Sequence, residues 1–315
     1  MNAVQINRYG SAEVLELKDV KVPKPGHGEI LVEVHACGLN PVDYKIRQGH
    51  LKDLFPVTFP RILGGDISGV VKELGPSATD FQVGDEVYFS NSLDRDGGYA
   101  EFCVVDQKIV ARKPTSLSHI EAASLPVVGL TSIQALRDFG GIKQGAKVLI
   151  HAGAGGVGSF AIQYAKSVGA KVFTTASSDK FDYVKSLGAD RVIDYRIEDF
   201  VAVCEQEGGM DIVFETIGGV NYAKSILATR TGGAVPCIVN PPDGDTKALA
   251  DSRRVKTDFF LLRGDRSDLN LISDLVKRQI VKSTVSKILP LEEVRAGHEQ
   301  LESGRTQGKL VLKIR

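Results

Sequence analysis

The hydrophobic rhythm of the chain changes once, a little over a third of the way along. Up to about residue 120 the apolar residues come in short β-type runs, such as Ile30-Leu31-Val32 with Val34, and Val70-Val71 with Leu74. Turns such as Pro23-Lys24-Pro25-Gly26 cut these runs, so the pattern predicts a small all-β unit, a partly closed barrel. Near Ile120-Glu121-Ala122-Ala123 the spacing becomes helical, and beyond Val148 strand and helix patterns alternate. That alternation predicts a parallel sheet with crossover helices. Its strands are expected at 147–152, 171–177, 191–195, 211–217 and 234–239, with a sixth at 258–262, all apolar enough to be covered on both faces. Val157, Phe160, Ala161, Tyr164, Ala165 and Val168 fall on one stripe of a helix that would pack on this sheet. Residues 265–315 read helix, strand, helix, strand, and the last strand, 310–314, is expected to return to the first domain.

A chain of 315 residues is longer than one hydrophobic core usually grows, so two domains with a cleft between them are expected. The boundaries put 1–121 in the β-rich domain, 122–264 in the parallel-sheet domain, and 265–315 back in the first. Composition adds only exclusions. With 43% hydrophobic and 25% charged residues the chain is an ordinary globular one, not a disordered one. Lysine plus arginine and aspartate plus glutamate both number 39, so no net field would gather nucleic acid or acidic membrane. No apolar run approaches the roughly eighteen residues of a membrane span. Met1-Asn2-Ala3-Val4-Gln5-Ile6 lacks the basic flank and apolar stretch of a targeting signal, and a cytoplasmic location is expected. Cys37, Cys103, Cys204 and Cys237 stand too far apart for a short-spaced metal pair and read as free thiols.

Candidate chemistry begins at the first strand of the alternating region. There Val148-Leu149-Ile150-His151-Ala152 runs into Gly153, Gly155, Gly156 and Gly158, with Val157 among them, and then into the amphipathic helix. Glycines at this strand-to-helix turn let the backbone approach a pyrophosphate, and the helix N-terminus offers its amides to the charge. A dinucleotide cofactor is therefore expected, the alternative being a merely structural glycine turn. An NAD enzyme would end the second strand on a carboxylate for the adenosine ribose. This strand ends Thr174-Thr175-Ala176-Ser177-Ser178-Asp179-Lys180, where two hydroxyls and an ammonium could hold a 2′-phosphate. NADPH is favoured; Asp179 is the contrary residue and is read as the cap of the helix that follows. Lys180 could instead be a solvated helix residue.

His27, His35, His50, His119, His151 and His298 include no His-x-x-x-His pair and none close to a cysteine pair, so no zinc-ligand spacing is present.

The chain resembles the medium-chain dehydrogenase/reductase superfamily in its zinc-independent quinone oxidoreductase branch, with enone oxidoreductases among the nearest relatives. The resemblance runs over the whole chain. Its residues are Ala36-Cys37-Gly38-Leu39-Asn40-Pro41-Val42-Asp43-Tyr44-Lys45, Gly64-Gly65-Asp66-Ile67-Ser68-Gly69, Val83-Gly84-Asp85-Glu86-Val87-Tyr88, Gly98-Tyr99-Ala100-Glu101-Phe102, the run 122–135, the glycine loop, and Gly308-Lys309-Leu310-Val311-Leu312. It implies an α/β fold: a GroES-like β-rich catalytic domain plus a Rossmann doubly wound parallel-sheet domain. Zinc members carry a cysteine where this chain has Asn40 and a histidine where it has Gly65, and no counterpart of their cysteine-rich lobe follows Tyr88, so no metal is expected.

The resemblance also implies roles. Asn40, Asp43 and Lys45 would line the nicotinamide side, although the residues alone equally allow an Asn-Pro turn with an exposed ion pair. Thr131 would sit beside the nicotinamide, and Gly156 and Val157 at the pyrophosphate. Ser177, Ser178, Lys180 and Tyr195 would enclose the 2′-phosphate. Ile238, Phe260, Leu261 and Leu262, and Gly308 with Lys309, would complete the nicotinamide side. The expected reaction is hydride transfer to a quinone or an α,β-unsaturated carbonyl, with Asn40 polarising the acceptor and Tyr44 either helping or merely packing. The alternatives are a zinc-dependent alcohol dehydrogenase and a non-catalytic NADPH-binding protein, as with the crystallins of this branch. A homodimer paired through the edge strand near 258–262 is expected by resemblance.

Overall fold

The computed structural model describes residues 1–315. The chain forms two compact units, one of residues 1–127 with 264–315 and one of residues 128–263.

The first unit is β-rich. Its seven-stranded sheet runs in the order Val285–Pro290, Lys309–Lys313, Glu29–Gly38, Asp66–Leu74, Glu86–Ser90, Val110–Arg112, with Phe102–Asp106 also paired to Glu29–Gly38. Glu29–Gly38 is the spine. Its register against Asp66–Leu74 shifts twice, between Leu31 and Val32 and around His35, and such bulges bend a strand so that a sheet can wrap. Lys309–Lys313 pairs antiparallel with the end of the spine, Val311 opposite Gly38. That pairing sets Lys309 beside the start of the helix Pro41–Arg47.

The second unit is a doubly wound parallel sheet of six strands in the order Arg191–Asp194, Lys171–Ala176, Lys147–Ile150, Met210–Phe214, Thr229–Cys237, Lys256–Phe259. This is the Rossmann order, with the direction of winding reversing between Lys147–Ile150 and Met210–Phe214. Leu149, Phe173, Ile193, Val213 and Val235 form its core.

Three local expectations need correction. The fifth strand starts at Thr229, not 234, because the polar stretch Arg230-Thr231-Gly232 is its exposed entry and reads as loop. The sixth strand is Lys256–Phe259, not 258–262. Finally, the helix Gly156–Ser167 is not buried along a single stripe. Ser159, Ile162 and Gln163 are buried as well as Phe160, Ala161, Tyr164 and Ala165, since the small residues let neighbours close on several faces.

Candidate active site

In the first unit the chemistry begins where the spine strand gives way to the helix Pro41–Arg47. Asn40 is the extended residue before that helix and Pro41 supplies its first position, where a missing N–H costs nothing. Asp43 reaches back, its Oδ2 accepting from the Asn40 backbone N–H at 2.8 Å. The Asn40 side chain is thereby left for other partners. Its Nδ2 donates to Asp66 Oδ2 at 2.9 Å, and its Oδ1 accepts from Lys309 Nζ at 2.6 Å. Lys309 also donates to Asp66 Oδ2 at 2.7 Å and to the Leu39 carbonyl at 3.1 Å, which occupies all three of its N–H groups. Asp66 Oδ1 takes the Val127 N–H at 2.6 Å. Asn40, Asp66 and Lys309 are all buried. One donor has weak employment: the second N–H of Asn40 makes only a long 3.5 Å contact to the Gly38 carbonyl.

Asp43 opens a second buried chain. Tyr99 donates from its hydroxyl to Asp43 Oδ2 at 3.0 Å and lies 3.1 Å from His298 Nε2. His298 Nδ1 faces Arg47 Nη1 at 3.4 Å, and Arg47 pairs with Glu302 at 2.6 Å. Arginine can only donate, so His298 accepts at Nδ1 and carries its proton on Nε2, toward Tyr99. Burial raises Asp43 to about 6, and burial together with the Arg47 charge lowers His298 to about 3. Asp43 is therefore no member of an exposed pair with Lys45, and that reading is corrected. Tyr44 and Lys45 are half-buried on the same helix, and burial raises the Tyr44 hydroxyl above its ordinary value. Gly308 has a left-handed φ of 59°, and a Cβ there would lie 2.0 Å from the Thr284 carbonyl oxygen, so packing alone demands the glycine.

In the second unit Ala152 turns the chain with a φ of 49°. A Cβ on Gly153 would lie 2.0 Å from Thr174 Oγ1, and one on Gly158 would lie 2.4 Å from the Ala152 carbonyl oxygen. Both glycines are thus fixed by close packing of loop, strand and helix. Gly155 differs, since its added Cβ would meet only the Ala152 carbonyl, at 3.3 Å. The first bond of the helix Gly156–Ser167 runs from the Ser159 N–H to the Gly155 carbonyl at 2.9 Å. The amides of Gly156, Val157 and Gly158 precede it, and they could hold a pyrophosphate. Ser132 Oγ lies 3.3 Å from the Val157 carbonyl, which brings the helix bearing the buried Thr131 against this loop.

Ser177, Ser178 and Lys180 lie together in the short turn after Lys171–Ala176. Asp179 does not cap the helix Phe181–Ser186, which begins two residues later; its carboxylate is held low by the Ser177 hydroxyl and, more weakly, by Lys180 at 3.4 Å. Tyr195 follows the neighbouring strand Arg191–Asp194 and is exposed, its ring 5.8 Å from the Arg196 guanidinium. Ile238 and Phe260 each follow one of two strands paired at Cys237 and Phe259, so they stand side by side. Leu261 is exposed and Leu262 half-buried.

Reasoning from the sequence missed Asp66, Tyr99, His298 and Arg196. The first two stood in quoted motifs, but a lone acid or tyrosine in a β-run carries no pairing signal. His298 is 199 residues from Tyr99. No three His, Cys, Asp or Glu side chains come together in a way that could hold a metal ion, the four cysteines are free and buried, and no helix is long and apolar enough to cross a membrane.

Two family models match: "Alcohol dehydrogenase GroES-like domain" over residues 26–115 and "Zinc-binding dehydrogenase" over residues 187–312. The chain is 33% identical to a chloroplast envelope quinone oxidoreductase homolog of Arabidopsis thaliana, covering 99% of this chain and 98% of that one. It is also 33% identical to the 2-methylene-furan-3-one reductase of Solanum lycopersicum, over 99% of this chain and 79% of the relative. Among solved structures, the quinone oxidoreductase from Coxiella burnetii superposes with a TM-score of 0.93 at 36% identity, covering 100% of this chain and 99% of that one.

Proposed function

The chain belongs to the medium-chain dehydrogenase/reductase superfamily, in its zinc-independent quinone oxidoreductase branch, and on that premise we propose that it is an NADPH-dependent reductase of quinones or α,β-unsaturated carbonyls. The observation that carries this reading is the glycine loop, whose backbone comes unobstructed to the N-terminus of a twelve-residue helix. Bound NADPH supplies the hydride, and the protein's work is to bind, orient and exclude water. The amides of Gly156, Val157 and Gly158, with Gly153 and Gly155 shaping the loop, take the pyrophosphate. Ser177, Ser178, Lys180 and Tyr195 take the 2′-phosphate, which displaces Asp179 as the partner of Ser177 and Lys180. Arg196 adds a second cation beside Tyr195. Thr131, Ile238, Phe260, Leu261 and Leu262 flank the nicotinamide on the second unit.

Asn40 polarises the acceptor carbonyl with its weakly employed N–H, while Lys309 and Asp66 hold the amide in place. Lys309 serves through Asn40, since its own donors are taken. Tyr44 orients the acceptor, and water supplies the proton. The same reading places the protein in the cytoplasm and pairs two copies along Lys256–Phe259, the outermost strand of its sheet, whose backbone groups are unpaired on one side.

A screen of NADPH consumption across quinones, alkenals and cyclic enones tests the reading, and no turnover with any of them would sink it. Lys180→Ala separates NADPH from NADH. Losing one charge-assisted contact should raise the KM for NADPH about tenfold or more and leave that for NADH nearly unchanged. Equal effects on both would remove the 2′-phosphate role.

A further inference from the structure

A hydrogen-bonded chain of four buried side chains crosses the strand ends of the second unit. The Ala152 N–H donates to Thr175 Oγ1 at 3.1 Å, and Thr175 Oγ1 lies 3.2 Å from His151 Nδ1. His151 Nε2 lies 3.1 Å from Ser225 Oγ, which donates to Glu215 Oε2 at 2.6 Å. Glu215 Oε1 then accepts the N–H groups of Ile217 at 2.6 Å and Gly218 at 2.8 Å. The side chains involved are all 2% exposed or less.

Direction follows from valence. Ser225 has one proton and gives it to Glu215, so it must accept from His151 Nε2–H. A neutral His151 then accepts at Nδ1, so Thr175 gives its proton there and keeps a lone pair for Ala152. Burial favours that neutral form, Phe200 packs edge-on against the ring at 4.7 Å, and Glu215 Oε2 at 3.9 Å is the one charged group near it.

The chain's placement distinguishes it from polar groups that merely satisfy one another. Thr175, His151 and Glu215 stand at the carboxyl ends of three adjacent strands, across the reversal in strand order where open α/β sheets bind ligands. Both ends finish on backbone. One is Ala152, held at a φ that residues with a Cβ rarely adopt, immediately before the glycine loop. The other is the turn after Glu215, whose own carbonyl accepts from the Ile238 N–H at 3.1 Å. We propose that His151, with Thr175 and Ser225, is a positioning residue that couples the pyrophosphate loop to the Glu215–Ile238 side of the cofactor site, so that the two backbone segments are set together. This rests on the cofactor reading above.

The test uses Thr175→Val, Thr175→Ser, Ser225→Ala and the Thr175→Val/Ser225→Ala double variant, with NADPH affinity by fluorescence titration and amide hydrogen exchange in the cofactor-free protein. Thr175→Val should weaken NADPH about tenfold, Thr175→Ser should return to within about twofold of wild type, and the double variant should be no weaker than the worse single one. At the far end, exchange at Ile217 and Gly218 should quicken in Thr175→Val. Multiplicative losses in the double variant, or unchanged exchange at Ile217 and Gly218, would overturn the coupling. If Thr175→Val does not fold, Ser225→Ala decides by the reverse measurement, since exchange at Ala152 must quicken, and an unchanged rate overturns the proposal. A wild-type protein that ignores NADPH would sink the cofactor reading, while the exchange rates would still judge the coupling.

Discussion

The two units hold their polar groups in opposite ways. Around Asn40 the first unit buries full charges, Lys309 against Asp66, and a second chain that runs through Arg47 to Glu302. The second unit rings the buried Glu215 carboxylate with a hydroxyl and two amides, and its glycine loop presents only backbone N–H groups. A donor set made of side chains can be aimed at a single atom, as the proposed role of Asn40 requires, but each member depends on the others. A backbone cradle has no donor side chain of its own to lose, and a Cβ intruding on it is the direct way to spoil it.

The largest test of that contrast is Lys309→Met. It leaves the Asp66 carboxylate fully buried with only the Asn40 amide and the Val127 N–H as partners. Breaking one side of a buried pair costs about 3–5 kcal/mol, readable as a fall in the urea midpoint. Lys309→Met with Asp66→Asn should recover most of the loss. A single-variant cost below about 1 kcal/mol would mean the pair behaves like an exposed one and would erase the contrast.

The same contrast explains what could be read from the sequence. The Rossmann unit was legible because periodicity and the order strand, glycines, helix are local signals; Gly153, Gly155 and Gly158 stand within six residues of one another. The cluster of the first unit is assembled from Asn40, Asp66 and Lys309, up to 269 residues apart, and only strand pairing brings them together. Asn40 and Lys309 were visible solely through family resemblance, and Asp66 only as a motif residue with no role assigned. Thr229–Cys237 was clipped for a related reason: residues 230–233 are polar or glycine and fall in a register shift between the Met210/Thr229 and Ile212/Ala234 pairs, so only pairing on either side marks them as strand.

A second test compares two glycines of one loop. Gly158→Ala drives a Cβ to 2.4 Å from a backbone oxygen, whereas Gly155→Ala meets that oxygen at 3.3 Å with an ordinary φ of −78°. Gly158→Ala should cost about 1–3 kcal/mol of stability and abolish NADPH binding with it. Gly155→Ala should leave the melting temperature close to wild type yet weaken NADPH about tenfold, because on the proposed reading its methyl would project where the pyrophosphate approaches. Normal NADPH affinity in Gly155→Ala would show that the loop is a packing device and not a cradle.

The smallest effect lies in the pH dependence of the first unit. Folding raises Asp43 from 3.8 to about 6, so between those values the folded chain holds a proton that the unfolded chain has released. Stability from this group is complete below about pH 4, falls as pH rises, and levels off above about 6. His298 is lowered from 6.5 to about 3, so its contribution rises with pH across the same window. Two groups joined through Tyr99 therefore tilt the stability curve in opposite senses and largely cancel. Asp43→Asn removes one slope and exposes the other. Relative to wild type, its stability should increase by about 1 kcal/mol from pH 5 to pH 6, measured as the difference between urea unfolding free energies of the two proteins at each pH. A difference that stays flat would place Asp43 in a wetter setting than its burial indicates, and would make the first unit's cluster as insensitive to protons as the glycine cradle of the second.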